Sequence, residues 1–198
     1  LRADAHAIER IAAGGGPGIP YGAGVVDPPH PDDYARLIRK IAEPLGVQLI
    51  CEPGRMIVGN AGVMVARVIY DKEGDGRRFL ILDAGMNDLI RPALYGSYHA
   101  IEPVREASAG APRVAYDVVG PVCETSDLFA RARALPEMKP GDLVAFMSAG
   151  AYGAVQGSQY NTRPATPEVL ASGARFAVIR RRPSFEEMIA GETSPSWL

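Results

Sequence analysis

The stretch Leu49-Ile50-Cys51-Glu52-Pro53-Gly54-Arg55 determines how the rest of the chain is interpreted. The apolar run over residues 47–51 predicts a short buried strand, which stops abruptly in an acid, a proline, a glycine and an arginine. The carboxyl ends of buried strands are where α/β folds place their chemistry. Gly54 lets a backbone N–H approach a ligand closely, and Arg55 offers a planar fork for phosphate or carboxylate. The same four residues also fit an ordinary turn at a strand end.

A run of three glycines, Gly14-Gly15-Gly16, lies upstream of this strand. Its backbone suits an anion-binding nest, although a flexible loop is the commoner use of a glycine run. Between the two motifs, apolar residues spaced at i, i+3, i+4 and i+7 predict an amphipathic helix over residues 31–43. The result is one α/β repeat, which would place the two anion-binding loops side by side. Residues 1–12 fit either a helix or a weak strand.

After residue 62, short strand patterns without long helices replace the α/β pattern. The predicted strands cover residues 63–70, 79–83, 114–119, 143–147 and 174–179, with turns at 71–76 and 140–142 and a short helix at 184–190. Several short strands separated by turn signals are typical of a β-sandwich or β-barrel. We therefore predict a fold class of α/β plus all-β, with a domain boundary near residue 60.

The composition narrows the classes of function. The 198 residues are 47% hydrophobic with a formal net charge of -2 and no basic stripe, so no nucleic-acid partner is expected. The longest apolar runs are strand-sized, which predicts no membrane span. Cys51 and Cys123 do not resemble a disulfide framework and indicate reduced thiols in a cytoplasmic protein. Because the chain begins at Leu1 in what reads as the middle of a helix, we expect it to be part of a longer protein.

Six short motifs occur in one order along the chain. They are Gly14-Gly15-Gly16, Glu52-Pro53-Gly54-Arg55, Asp83-Ala84-Gly85-Met86-Asn87, Arg91-Pro92-Ala93-Leu94-Tyr95, Gly120-Pro121-Val122-Cys123-Glu124 and Gly150-Ala151-Tyr152-Gly153. In this order they resemble the pyridoxal-phosphate-dependent decarboxylases of the alanine-racemase-like fold, and most closely the diaminopimelate decarboxylases. The resemblance implies that residues 1–60 form the end of a (β/α)8 barrel and that residues 61–198 form a C-terminal β-sandwich or β-barrel domain. It also implies decarboxylation of meso-2,6-diaminopimelate to L-lysine and CO2, the last step of lysine biosynthesis.

The resemblance further implies a site for pyridoxal 5'-phosphate and no metal. The Gly14-Gly15-Gly16 loop and the Pro53-Gly54-Arg55 turn would cradle the phosphate. Glu52 would face the pyridine nitrogen and keep it protonated, and Tyr152 would lie against both cofactor and substrate. The family's Schiff-base lysine lies near the start of the barrel, and no lysine of this chain matches its motif. We interpret all three lysines as surface residues and expect the chain alone to be inactive; they are Lys40, Lys72 and Lys139.

The remaining motif residues resemble the family's substrate site. Arg55 and Arg91, helped by Tyr95, would bind the distal carboxylate of the substrate, and Glu124 would hold its distal ammonium. Cys123 would protonate the carbanion as a general acid, and the alternative for this residue is a small buried hydrophobe.

Other positions carry more modest expectations. Cys51 is expected in the core, and His30 and His99 are interpreted as structural or exposed. In the family, Cys123 and Glu124 reach the active site of the other subunit, which implies a homodimer with shared active sites. Two alternatives stay open, a partner-binding protein that catalyses nothing and a related decarboxylase of a polyamine precursor.

Overall fold

The structure, a computed structural model, describes residues 7–22, 24–108 and 110–198. The N-terminal part of this region is a β–α–β unit. Strand β1 (Arg10–Gly14) pairs in parallel with strand β2 (Gln48–Cys51), and helix α1 (Pro31–Ala42) connects them. The predicted helix is confirmed, ending one residue early. Residues 10–12 are therefore strand, whereas residues 1–6 of the segment that fitted helix or strand lie outside the described residues.

Strand β2 is not the buried strand that its apolar sequence predicts. Cys51 is exposed, and 38% of the Ile50 side chain is accessible. Strand β1 is the one described strand that pairs with β2, and a sheet of two strands leaves these side chains at its surface. The expected core position of Cys51 is therefore wrong for the described part of the chain. A short helix, α2 (Gly54–Val58), follows β2 directly.

A six-stranded mixed sheet forms the larger part of the molecule. Its strands follow the order β5-β8-β3-β4-β6-β7, and all neighbours are antiparallel except β4 and β6. The strands are β3 (Met64–Gly74), β4 (Arg77–Leu82), β5 (Ile101–Pro103), β6 (Arg113–Val119), β7 (Leu128–Pro136) and β8 (Leu143–Phe146). Helix α3 (Arg91–Tyr95) and β5 lie in the long connection between the parallel neighbours β4 and β6.

The sequence patterns predict four of these strands and miss two. Strands β5 and β7 have no counterpart among the predictions, whereas β3, β4, β6 and β8 match theirs to within a few residues. The predicted turn at 71–76 is too long, because β3 continues to Gly74 and pairs with β4 up to Arg77. Only Asp75 and Gly76 turn, both with positive φ, as a two-residue hairpin requires.

One core lies against the six-stranded sheet. Among the described residues, eight side chains larger than alanine, from five strands, are at most 2% exposed: Val68, Leu80, Leu82, Tyr116, Val118, Leu135, Val144 and Phe146. Burying each such side chain contributes about 1.5–3 kcal/mol. The Tyr116 hydroxyl in this core accepts the backbone N–H of Met138 at 3.2 Å, so this buried hydroxyl oxygen has a hydrogen-bond partner.

The two edges of the sheet approach each other, so that the sheet is nearly closed. Strands β5 and β7 are the edge strands and lie in contact. Arg133 of β7 donates a hydrogen bond from Nη1 to the carbonyl oxygen of His99 at 2.9 Å and lies over the ring of Tyr98. A cleft of about 820 Å³ runs along this seam. The predicted β-domain is therefore a sheet domain, with one mixed sheet as its main element.

The C-terminal segment adds a separate hairpin and a short helix. Strands β9 (Glu168–Ser172) and β10 (Arg175–Arg180) pair with each other only, and most of their side chains are exposed. Helix α4 (Phe185–Ile189) begins with a capping box in which Ser184 and Glu187 exchange hydrogen bonds. The strand predicted at 174–179 and the helix predicted at 184–190 are both confirmed. No helix in the described ranges is long and apolar enough to cross a membrane.

Candidate active site

The glycine loop and the charged turn after β2 lie side by side, as the predicted repeat requires. The backbone N–H of Glu52 donates to the carbonyl oxygen of Gly14 at 2.9 Å, and Arg55 donates from Nη2 to the carbonyl oxygen of Gly16 at 3.3 Å. A Cβ at Gly15 would lie 2.7 Å from the carbonyl oxygen of Glu52, so the two backbones approach more closely than a side chain allows. Both loops follow the carboxyl ends of parallel strands.

This pair of loops has the chemistry of an anion site. Gly14 and Gly16 adopt positive φ values of 71° and 107°, a backbone that favours glycine. The N–H of Gly54 donates to the carbonyl oxygen of Glu52 at 2.8 Å and fixes the turn through Pro53. Consecutive backbone N–H groups beside a guanidinium suit a phosphate or a carboxylate.

Arg91 is a buried cation held between two aromatic rings. It begins helix α3, is 8% exposed, and its guanidinium carbon lies 5.4 Å from the ring centre of Tyr21 and 5.5 Å from that of Tyr152. Its Nη2 donates to the Ser97 hydroxyl at 3.3 Å, and its buried Nε has no hydrogen-bond partner in the described chain. Tyr95, at the other end of α3, is 61% exposed. The structure thus brings Arg91 to Tyr152.

His99 and Tyr21 pack against each other, and Tyr21 is one of the two rings that contact Arg91. His99 is 2% exposed, its Nδ1 lies 2.9 Å from the carbonyl oxygen of Met147, and its ring meets the Tyr21 ring edge-on at 5.2 Å. Burial lowers the pKa of His99, and the nearby charge of Arg91 lowers it further, so the ring is neutral and donates from Nδ1. His99 is therefore structural, and His30 is exposed. The sequence alone does not point to Tyr21.

Cys123 and Glu124 lie in the loop between β6 and β7, where Cys123 is exposed and Glu124 is half-buried. The alternative of a buried Cys123 is therefore wrong. The Glu124 carboxylate accepts the backbone N–H of Ser126 at 3.4 Å and the Thr125 hydroxyl at 3.2 Å, which lowers the pKa of Glu124. Across the described ranges, neither Cys123 nor Glu124 shares a hydrogen bond or an ion pair with an arginine.

Asp127 ties this loop to the one that precedes Arg91. Its carboxylate is 4% exposed and accepts the backbone N–H groups of Met86 at 2.6 Å and Val122 at 2.7 Å. A Cβ at Gly120 would lie 2.3 Å from this carboxylate, so the glycine makes room for it. Burial raises the pKa of Asp127, and the two backbone donors act against that rise. Asp127 lies outside the predicted site residues, and the nearby motif glycines were the available signal for it.

The segment that carries Tyr152 contains most of the unusual backbone. Six non-glycine residues of the described chain have positive φ, and four of them lie between residues 148 and 162: Ser148, Tyr152, Asn161 and Thr162. Arg163 anchors this segment by donating from Nε to Asn87 Oδ1 at 2.9 Å and pairing with Asp88 at 3.6 Å. Such backbone strain is concentrated at functional sites. No sequence signal indicated Asn161 or Arg163.

The three lysines are surface residues, as the sequence predicts. Lys40 lies on α1, Lys72 on β3 and Lys139 before the turn into β8, and each is exposed. The described residues contain no cluster of acidic, histidine or cysteine side chains suited to a metal ion.

Comparison with known proteins gives one consistent result. The model of the family described as "Pyridoxal-dependent decarboxylase, C-terminal sheet domain" matches residues 23–150. The chain is 46% identical over 193 residues to the diaminopimelate decarboxylase of Zymomonas mobilis, covering 98% of this chain and 45% of that protein. It is 44% identical over 195 residues to the diaminopimelate decarboxylase of Haemophilus influenzae, covering 98% and 46%.

Solved structures agree with these sequences. Diaminopimelate decarboxylase from Helicobacter pylori, complexed with L-lysine, superposes with a TM-score of 0.86 at 39% identity and covers 96% of this chain and 46% of that one. The enzyme from M. jannaschii in complex with L-lysine gives 0.89 at 33% identity, with 100% and 46% covered. A lysine/ornithine decarboxylase from Vibrio vulnificus gives 0.67 at 25% identity, with 78% and 41% covered. The chain thus spans a little under half the length of these relatives.

Proposed function

Because the chain belongs to the pyridoxal-dependent decarboxylases, we propose that it is the C-terminal part of an enzyme that converts meso-2,6-diaminopimelate to L-lysine and CO2. The geometry that carries this proposal is the meeting of the Gly14-Gly15-Gly16 loop with the turn from Glu52 to Arg55. The choice of substrate rests on relatives of 44–46% identity, which are diaminopimelate decarboxylases.

The proposed domain arrangement places residues 1–60 at the end of a (β/α)8 barrel and residues 61–198 in the C-terminal β-domain. The parallel pairing of β1 with β2 through α1 supports the first assignment, since this is the repeat from which such barrels are built. The exposed side chains of β2 support it as well, because further strands and helices of a barrel would cover them.

The residues present fit pyridoxal 5'-phosphate. The close backbone approach at Gly15 and the positive φ of its neighbours leave a loop free of side chains beside the Arg55 guanidinium, which suits a phosphate. We assign the phosphate to this loop and to the Pro53-Gly54-Arg55 turn, the pyridine nitrogen to Glu52 and one face of the ring to Tyr152. The cofactor, when bound, supplies the electron sink for decarboxylation. The lysine that links the cofactor belongs, in this proposal, to the part of the enzyme outside this chain.

The substrate would be held by charge at its distal end. Arg91, with its orientation fixed by the Tyr21 and Tyr152 rings, would bind the distal carboxylate together with Arg55 and Tyr95. Glu124 would hold the distal ammonium, and its lowered pKa keeps it ionised at neutral pH. Cys123 would donate a proton to the carbon that has lost CO2. Among the described residues neither Cys123 nor Glu124 bonds an arginine of the same chain, which supports a homodimer in which the two subunits complete each other's sites.

The test uses the complete enzyme that contains this chain. We expect it to release lysine from meso-2,6-diaminopimelate and to convert ornithine, which lacks a distal carboxylate, at least about 100-fold less efficiently. The substitution Arg91→Gln should lower kcat/KM for diaminopimelate by about 100-fold, because a buried charge-assisted contact is lost. Arg113→Gln is the matched control, since Arg113 is an exposed arginine of β6 that bonds only a backbone carbonyl among the described residues.

Two results would contradict this proposal. A preference for ornithine over diaminopimelate would favour the decarboxylase of a polyamine precursor. An unaltered kcat/KM in the Arg91→Gln enzyme would remove Arg91 from the substrate site.

A further inference from the structure

A side chain from the strained segment reaches the sulfur of Cys123. Asn161 Nδ2 lies 3.4 Å from Cys123 Sγ, within the reach of a hydrogen bond donated to sulfur. Cys123 belongs to the loop between β6 and β7, whereas Asn161 lies before β9, 38 residues further along the chain. The contact therefore depends on the tertiary structure. In the described part of the chain, no other hydrogen bond to this sulfur is found.

The backbone that presents Asn161 is held in an unfavourable conformation. Asn161 and Thr162 have φ values of 58° and 55°, and the β-branched Thr162 tolerates that region poorly. Arg163, the next residue, is fixed by its bonds to the carbonyl oxygen of Asp83 and to Asn87. The surrounding contacts thus maintain a turn that costs conformational energy, which is a common feature of functional segments.

We propose that Asn161 is a positioning residue for Cys123. The side-chain amide of Asn161 orients the sulfur and stabilises the Cys123 thiolate. This inference rests on the proposed function, in which Cys123 is the proton donor. In that step the S–H bond breaks, a C–H bond forms at the carbon that has lost CO2, and sulfur keeps the electron pair. The side-chain N–H of Asn161 points at the sulfur, the atom on which that negative charge appears. A hydrogen bond to the charged form of a group favours that form.

The charged groups on the loop of Cys123 and on the segment of Asn161 bear on this donor. Glu124 and Asp127, on the same loop as Cys123, are carboxylates, and negative charges disfavour a thiolate. Arg163 lies two residues after Asn161 and is the nearest cation to it in sequence on that segment. Its guanidinium is already paired with Asp88 and bonded to Asn87. Among the described residues, the side-chain amide of Asn161 is the group that contacts the sulfur by a hydrogen bond.

The test measures the thiol directly. Cys51→Ser leaves Cys123 as the single thiol of the 198-residue chain, and its pKa follows from the rate of alkylation by iodoacetamide as a function of pH. Asn161→Gly removes the donor, keeps the backbone φ accessible and should raise the thiol pKa by about one unit. Asn161→Asp replaces the donor with an acceptor of the same shape and should raise it further.

The matched control is Thr162→Gly, which relieves the same kind of backbone strain at the next residue without touching the sulfur. It should leave the thiol pKa unchanged. Circular dichroism of each variant separates a local effect from unfolding, and Asn161→Asp, which keeps both size and backbone preference, provides the result if Asn161→Gly does not fold. Equal thiol pKa values in the Asn161 variants and in Thr162→Gly would overturn the inference.

The complete enzyme distinguishes this inference from the function on which it rests. If the thiol pKa shifts in the chain but the wild-type enzyme does not decarboxylate diaminopimelate, the proposed function fails and the contact stands. If the enzyme is active but the thiol pKa does not move, the inference fails alone. With both correct, the pH profile of kcat in Asn161→Gly shifts in the same direction as the thiol pKa.

Discussion

Two regions of this molecule use the same kind of strand sequence with opposite results. In the six-stranded sheet, apolar side chains such as Leu80 and Val144 are completely buried. In the β9–β10 hairpin, 78% of Phe176 and 61% of Val178 are exposed. Both regions contain an antiparallel strand pair with one register shift, so the difference lies in what covers the faces of the strands. Strand formation is thus a local property here, and burial depends on the neighbouring layer.

The same contrast divides the candidate site. The two proposed anion-binding loops follow the strands of the small β1–β2 sheet, whose side chains are exposed or half-buried. Arg91, His99 and Asp127 belong to the connections of the large sheet and are buried. Arg91, one of the proposed substrate residues, is therefore preorganised by this chain itself, whereas the proposed phosphate site depends on backbone contacts between two loops.

The largest effect expected from this contrast is on stability. Leu80→Ala should lower the free energy of unfolding by about 2–5 kcal/mol, because it leaves a cavity in the core. Phe176→Ala removes a larger side chain from an exposed strand and should change that free energy by less than about 0.5 kcal/mol. Urea unfolding of both variants measures the difference. An equal loss in the two variants would show that the hairpin is packed in solution and remove the contrast.

A smaller effect is expected where a single carboxylate joins two site loops. Asp127→Asn keeps one of the two oxygens that accept backbone N–H groups and should cost about 1–3 kcal/mol. Asp117→Asn is the matched control, because Asp117 is similarly buried. Its carboxylate accepts the N–H of Ala132 at a distance of 2.8 Å, and this hydrogen bond does not involve the site loops. Amide hydrogen exchange at Met86 and Val122 should accelerate in the first variant only. Faster exchange at both amides in Asp117→Asn would mean that Asp127 has no special role.

A pH effect should arise from the buried histidine of the large sheet. The pKa of His99 is lowered in the folded state, so the unfolded chain takes up a proton first as the pH falls. Stability should therefore decrease from pH 7 toward pH 5, by at most about 1.4 kcal/mol per pH unit for one proton. His99→Gln should reduce this slope when urea midpoints are compared at the two pH values. A slope unchanged by His99→Gln would contradict the neutral, buried ring.

The smallest effect is expected at the exposed C-terminal segment. Arg181 and, secondarily, the backbone N–H of Ser184 lower the pKa of Glu187 to about 2. The stabilisation from this pair should be present above the ordinary pKa and disappear as the pH falls toward 2. An NMR titration of the Glu187 carboxyl should show this midpoint, and Arg181→Gln should raise it. Arg182→Gln is the control, since Arg182 bonds the carbonyl oxygen of Pro164.

Sequence reasoning succeeded where the determining forces are local. Helix α1 follows from its apolar spacing and its first turn, and the meeting of the two anion-binding loops follows from the geometry of one β–α–β repeat. It ended β3 four residues too early, because the charged residues Asp71, Lys72 and Glu73 look like a turn. In the structure Asp71 pairs with Arg78 of β4 at 2.5 Å, so the charges are satisfied across the hairpin.

The failures at the site have a common physical origin. Cys51 is apolar in sequence but lies in a sheet of two strands, and no pattern in the sequence reveals how many layers cover a strand. Asp127, Asn161 and Tyr21 act through contacts between residues far apart in the chain, and each is an ordinary loop residue when considered alone. The motifs identify which loops form the site, whereas the groups that hold them in place are seen only in three dimensions.

The parallel pairing of β4 with β6 has a consequence for how the molecule folds. The connection between these neighbours holds α3, with Arg91, and also β5, which pairs with β8 at the far edge of the sheet. Parallel neighbours require such a long crossover, and contacts distant in sequence slow folding. The sheet therefore cannot finish assembling before the chain around Arg91 is in place. We therefore expect folding of the sheet and placement of Arg91, the proposed substrate-binding arginine, to be coupled.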